Sequence, residues 1–148
     1  MQIRPYMPED LKALQWVALG SNVFNAMIPV YPGVDKMPEY LSKAYVKPTT
    51  ENFYWVNRII GALADAHFYE NQSNIERYQL SVDRKLYEMI RKFDQEFQEK
   101  EPEDKKAFFE AANQEISDFI QEKTTELLDK VLFTSSCLMR NGFSRSDA

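Results

Sequence analysis

A chain of 148 residues, 44% hydrophobic and 14% aromatic, is long enough to bury one sizeable core, because domains of this size hide roughly 70% of the surface their unfolded chains expose. The formal net charge of −5 is spread over mixed-sign residues rather than gathered in a block, which argues against a basic surface that tracks phosphates and so against a nucleic-acid partner. One cysteine, Cys137, excludes an internal disulfide framework and a thiolate metal site, and no run approaches the ~18 to 20 apolar residues of a membrane span or the pattern of a signal peptide. The expected setting is therefore a reducing cytoplasm, with no membrane partner.

The first third holds six of the seven prolines, at positions 5, 8, 29, 32, 38 and 48, and its apolar residues come in short runs between turn signals. Gln2, Ile3 and Arg4 read as the end of a β-strand closed by Pro5, since an X-Pro pair favours extended backbone. Nothing precedes these residues here, so the strand is expected to pair with a sheet built by residues outside this chain. "LQWVALGS" is an apolar run of strand length, and "NVFNAMIPVYPG" is a second, closed by Pro32-Gly33 in a type II turn pattern. The two are predicted to pair as a hairpin around Gly20, Ser21 and Asn22. Neither alternates cleanly, so both should be covered on two faces, and a two-stranded sheet alone is only marginally stable.

From Thr50 the period becomes helical. Thr50 can cap a helix through "ENFYWVNRIIGALADAHFY", with an apolar stripe of Phe53, Val56, Ile60, Leu63 and Phe68. Ser73 and Glu76 have capping-box spacing and predict the start of a long helix. Its stripe is Ile75, Tyr78, Val82, Leu86, Met89, Phe93 and Phe97, and Arg84, Lys85, Glu88, Arg91, Lys92 and Glu96 should face water. "KEPED" reads as a turn with Pro102 opening the next helix, whose core side is Phe109, Ala112, Ile116, Phe119, Ile120, Leu127, Leu128 and Val131 and whose C-cap is Asn141-Gly142. The whole is an α+β chain: one domain over residues 1–148, a strand and loop region at 1–48, a helical region at 49–148 with an antiparallel helical hairpin, and a tail at 143–148 predicted to be disordered.

No catalytic constellation emerges. His67 lies where Asp65 is on a different helical face, so its expected role is packing or capping. Cys137 has no histidine near it and reads as a buried or half-buried inert thiol. The carboxylates fall on outward helix faces, where ion pairs at helical spacing are their usual fate, and the four glycines form no phosphate loop. Phe53, Tyr54, Trp55, Phe68 and Tyr69 read as core before they read as pocket. Asn22 and Asn25 sit in an apolar stretch where an amide must find a partner or face a cavity.

"QIRPYMPEDLKALQWVALGSNVFNAMIPVYPGV" followed by "ENFYWVNRIIGALADAHFY" resembles the C-terminal part of the bacterial N-terminal-nucleophile cysteine dipeptidases of the dipeptidase A type. The resemblance is close over about residues 2–70 and looser over the long helices. It implies an αββα sandwich and hydrolysis of dipeptides by a cysteine at the N-terminus of the mature chain, whose own α-amino group can serve as base. No residue here matches that nucleophile motif, so no catalytic residue is carried over, and the chain alone is expected to be inactive. Arg4, Asn22, Asn25 and Tyr31 lie in the matched strands and become substrate-proximal candidates. The implied partners are the N-terminal catalytic part of the same protein and a dipeptide, and exposed strand edges or apolar stripes add a second copy of the chain as a candidate partner; no cofactor or metal is expected. The alternative is a stand-alone α-rich interaction or dimerisation module built on the long helical hairpin, whose stripes exceed what a short sheet can cover.

Overall fold

The computed structural model describes residues 1–20 and 22–139. Three strands, β1 (Gln2–Ile3), β2 (Ala13–Val17) and β3 (Ile28–Val30), form one antiparallel sheet in the order β1-β2-β3. Four helices follow: α1 (Glu39–Ser42), α2 (Phe53–Ala66), α3 (Phe68–Lys100) and α4 (Lys105–Cys137). The predicted α+β chain with its helical hairpin is the observed one.

β1 is not the orphan that its sequence suggested. Gln2 pairs with Leu14 and Ile3 with Ala13, and the Arg4 amide donates to the Lys12 carbonyl at 2.7 Å. A loop of only nine residues between β1 and β2, tightened by a 3-10 turn at Glu9–Leu11, makes this local pairing possible. The hairpin of β2 and β3 exists, with Gln15 opposite Val30, Trp16 opposite Pro29 and Val17 opposite Ile28. Its strands are shorter than the apolar runs, because residues 18–27 form the connection, with a 3-10 turn at Asn22–Phe24. Of the turn predicted at Gly20, Ser21 and Asn22, Ser21 lies outside the described residues. Gly33 has φ +80°, as the type II pattern requires.

Gly20 has φ +91°, and a Cβ added there would meet the Asn57 Cβ on α2 at 3.3 Å. This close approach lets the β2–β3 connection lie on α2, so Gly20→Ala is expected to cost about 1–3 kcal/mol through strain and crowding. An unchanged urea midpoint in that variant would show that the connection yields freely.

α2 starts at Asn52, not Thr50: the Asn52 Oδ1 accepts from the Trp55 amide at 3.1 Å. The predicted break near Ser73 comes earlier, at His67, whose φ of −139° and ψ of 54° separate α2 from α3. Ser73 is therefore an interior helical residue. Asn71 covers the joint, since both its backbone amide and its Nδ2 donate to the His67 carbonyl at 3.1 Å. All seven residues of the predicted α3 stripe are buried. Opposite it, Glu96 is half-buried and the five other residues expected to be wet are exposed.

α4 begins at Lys105, three residues beyond the start expected at Pro102, with the Asp104 carboxylate accepting from the Ala107 amide at 2.9 Å. The C-cap expected at Asn141-Gly142 and the tail at 143–148 lie outside the described residues. Contacts between α3 and α4 run in opposite directions along the two helices: Phe97 stacks on Phe109, Lys92 pairs with Glu115 and Asn71 reaches Ser135. The 33-residue helices are thus an antiparallel hairpin about 50 Å long. Ser135 donates to the Leu63 carbonyl, which ties the far end of α4 to α2. The long stripes are consumed inside the chain, which removes the feature that favoured a stand-alone docking module.

Candidate functional site

Two features draw the sequence-level candidates together or apart: a buried polar cluster and a surface groove. Arg4, at the end of β1, reaches α3. Its Nη1 donates to Asp94 Oδ2 at 2.5 Å and its Nη2 donates to Asp94 Oδ1 at 3.2 Å and to the Leu11 carbonyl at 2.5 Å. Tyr31 leaves the end of β3 and donates its phenol proton to Asp94 Oδ1 at 2.9 Å, with the Ile90 carbonyl at 3.3 Å. Its backbone is held by Asn113 of α4, whose Oδ1 accepts from the Tyr31 amide at 2.8 Å and whose Nδ2 donates to the Tyr31 carbonyl at 3.0 Å. One carboxylate thus joins both outer strands to α3, and one amide joins β3 to α4.

Arg4 is 5% exposed, Asp94 7% and Tyr31 0%. A buried ion pair is tolerated only when its remaining donors and acceptors are used, and the bidentate geometry with two further hydrogen bonds does most of that here. The Arg4 Nε is the exception, without a partner among the described residues. The Tyr31 ring stacks on Phe109 at 5.0 Å, and Phe109 on Phe97 at 4.9 Å, so the cluster is walled by aromatic rings. Burial, then the Asp94 charge, push the Tyr31 phenol far above its ordinary value, with Arg4 opposing. Tyr31 is therefore a neutral hydrogen-bond donor at physiological pH, and the cluster ties β1 and β3 to α3.

The groove lies between the sheet and α3. It has a volume of about 780 Å³, and its walls include Trp16, Asn25, Met27, Glu76, Leu80, Asp83 and Tyr87. Trp16 is fixed twice, by its indole N–H to Gln2 Oε1 at 2.9 Å and by the Tyr87 ring at 5.4 Å. Gln79 clamps the β2–β3 connection onto α3 through the carbonyls of Val23 and Asn25, at 3.1 and 2.8 Å. Asn25 is 5% exposed: its Nδ2 donates to the Leu19 carbonyl at 2.5 Å, while its Oδ1 is buried without a partner among the described residues. Burial raises the Asp83 carboxyl above its ordinary value. A smaller hollow of about 310 Å³, bounded by Arg4, Tyr6, Arg91 and Asp94, shares Gln2, Trp16 and Tyr87 with the groove.

Of the four candidates, Arg4 and Tyr31 meet at Asp94, Asn25 borders the groove, and Asn22 opens the 3-10 turn at Asn22–Phe24. Asp94 and Asn113 were not foreseen. The signal was present: Asp94 is four residues beyond Ile90 and Asn113 three before Ile116, so both fall on core-facing stripes. Cys137 is exposed, not buried as its sequence context suggested, because α4 ends there. His67 is half-buried, and its backbone forms the joint between α2 and α3 while its side chain makes no cap hydrogen bond. Among the described residues no group of three or more His, Cys, Asp or Glu gathers to hold a metal ion, and no helix is long and apolar enough to cross a membrane.

Residues 1–81, which contain the whole sheet, α1, α2 and the first turns of α3, match the family model of peptidase family C69. The chain belongs to peptidase family C69. Among similar proteins, a "Probable dipeptidase A" of Streptococcus pyogenes serotype M1 is 38% identical over 147 residues, covering 99% of this chain and 30% of that protein. A "Dipeptidase" of Bifidobacterium longum is 35% identical, covering 99% of this chain and 35% of its own length. A "Dipeptidase A" of Lactobacillus helveticus is 30% identical, covering 94% and 29%. The chain therefore spans about a third of the length of the curated relatives it matches. The matched family region holds Arg4, Asn22, Asn25 and Tyr31, whereas Asp94 and Asn113 lie beyond it.

Proposed function

We propose that this family C69 chain is one part of a dipeptidase that hydrolyses dipeptides through a cysteine nucleophile carried elsewhere in a longer polypeptide. The carrying observation is the family match over residues 1–81, supported by relatives named as dipeptidases that extend to about three times its length. In this reading the chain supplies edge strands and a helical layer to an αββα sandwich of the N-terminal-nucleophile type, and the compartment is cytoplasmic. The catalytic portion of the same polypeptide is its partner.

Within that arrangement Arg4 and Tyr31 are positioning residues, because their polar atoms are engaged with Asp94 and Asn113 in the interior. Asn22 and Asn25, on the β2–β3 connection, remain the substrate-side candidates. Cys137 is no substitute nucleophile: it is exposed at the last turn of α4, and His67 is the chain's only histidine. The purified 148-residue chain is accordingly expected to release no leucine from Leu-Leu above the uncatalysed background. Steady turnover by this chain, abolished by Cys137→Ser, would overturn the proposal.

A further inference from the structure

Antiparallel ladders alternate between residue pairs that exchange hydrogen bonds and pairs that do not. The Arg4 amide donating to the Lys12 carbonyl marks that pair as bonded, so Gln2 with Leu14 is bonded too, and the next bonded position on β2 is Trp16. β1 stops short of it. Trp16 therefore turns its backbone N–H and C=O outward along an uncovered edge. The other neighbour cannot use them, because Trp16 faces β3 at Pro29, which has no N–H and fits a non-bonded position. The uncovered edge runs along the groove, whose surface combines apolar groups, including Leu80 at 72% exposure and Met27 at 53%, with the carboxylates of Glu76 and Asp83. No lysine or arginine lines it among the described residues. An open edge beside an apolar hollow is a template for one more strand.

We propose that, in a polypeptide of the relatives' length, the segment leading into Met1 continues β1 along Trp16 and Val17 and covers this groove. The proposal rests on the reading that the chain is part of a longer family C69 protein, and on the register rather than on the chain's own boundary. The observed pairing places the residue before Met1 opposite Trp16 and the one before that opposite Val17. Strand alternation turns the residue opposite Trp16, and every second one upstream, to the groove side that Gln2 already faces. Those positions should carry apolar side chains against Leu80, Met27 and Tyr87, and a lysine or arginine near Glu76 and Asp83. The groove is then an internal interface, not a substrate cleft.

Hydrogen exchange of the Trp16 amide tests this, read residue by residue in the 148-residue chain and in the family-length polypeptide that contains it. In the short chain Trp16 should exchange near the rate of an open strand edge, and in the long one at least about 100-fold more slowly. Leu80→Glu should leave the urea midpoint of the short chain unmoved and lower that of the long one. Equal Trp16 exchange in the two proteins would overturn the proposal, as would protection that appears only when a dipeptide is added, which would make the groove a substrate site. Dipeptide hydrolysis by the long protein is scored separately, so a protected Trp16 in an inactive protein would refute the dipeptidase reading and leave this interface standing.

Discussion

Replacing Asp94 with leucine is expected to destabilise the chain by about 3–5 kcal/mol, the range found when one partner of a buried ion pair is removed. The size follows from what the change strands. The Arg4 guanidinium, 5% exposed, would lose both Asp94 oxygens and keep only the Leu11 carbonyl, so a nearly unpaired charge would remain in the interior. The Tyr31 phenol would lose its better acceptor and keep the Ile90 carbonyl at 3.3 Å. Because the cost lies in the stranded charge, the double variant Arg4→Met with Asp94→Leu should recover most of it, since replacing a buried pair by apolar side chains is often close to neutral. Urea denaturation of the four proteins closes the cycle. Simple additivity of the two single losses would show that Arg4 and Asp94 do not act as a pair, and a single-variant loss below about 1 kcal/mol would show that water reaches the site.

The elements of this fold were legible where one local pattern decides them, and illegible where two distant segments do. The seven α3 stripe residues from Ile75 to Phe97 were readable because helical spacing alone selects a face. The partner of β1 was not, because Gln2 and Ile3 carry no mark that distinguishes β2 from a strand in another part of a protein. The end of α2 at His67 has neither glycine nor proline to announce it. It is held by Asn71 and by the packing of α2 on α4, whereas Ser73 and Glu76 offered a better-looking cap in a place where the chain had no reason to turn. Thr50 and Asn52 are both good caps two residues apart, and only the buried position of Asn52 chooses between them. The candidate site divides in the same way. Arg4 and Tyr31 were candidates only because they lie in the strands that carry the family resemblance, and Asp94 was hidden among the charges of a long helix whose acidic residues mostly face water. A carboxylate on a core stripe is the sign to look for an arginine in a neighbouring strand.

The alkaline limb of stability should be set by three buried tyrosines. Tyr31, Tyr40 and Tyr78 are each at most 6% exposed, and burial raises all three phenols above their ordinary value of 10.0. For Tyr40 the value reaches about 12, with its hydrogen bond to Thr124 pulling the other way. For Tyr78 the charges of Tyr40 and Asp83 add to burial, and its hydroxyl has no partner among the described residues. The folded chain therefore holds these protons where the unfolded chain releases them. Below pH 10 both states keep the protons and stability is unaffected; as pH rises above 10 the unfolded state gains charge first and stability falls. Each phenol contributes a slope of up to about 1.4 kcal/mol per pH unit, so three together approach ~4 kcal/mol per unit between pH 10.5 and 12. The resulting fall of about 6 kcal/mol over that interval is enough to unfold cooperatively a domain near the lower end of the usual ~5–15 kcal/mol. Absorbance at 295 nm would show these three phenols ionising together with the loss of the far-ultraviolet circular dichroism. Tyr31→Phe should lessen the slope by about one proton. Loss of the Tyr31 proton near pH 10, read as the difference in 295 nm absorbance between the chain and Tyr31→Phe with the far-ultraviolet circular dichroism unchanged, would mean that the Tyr31 cluster is open to water.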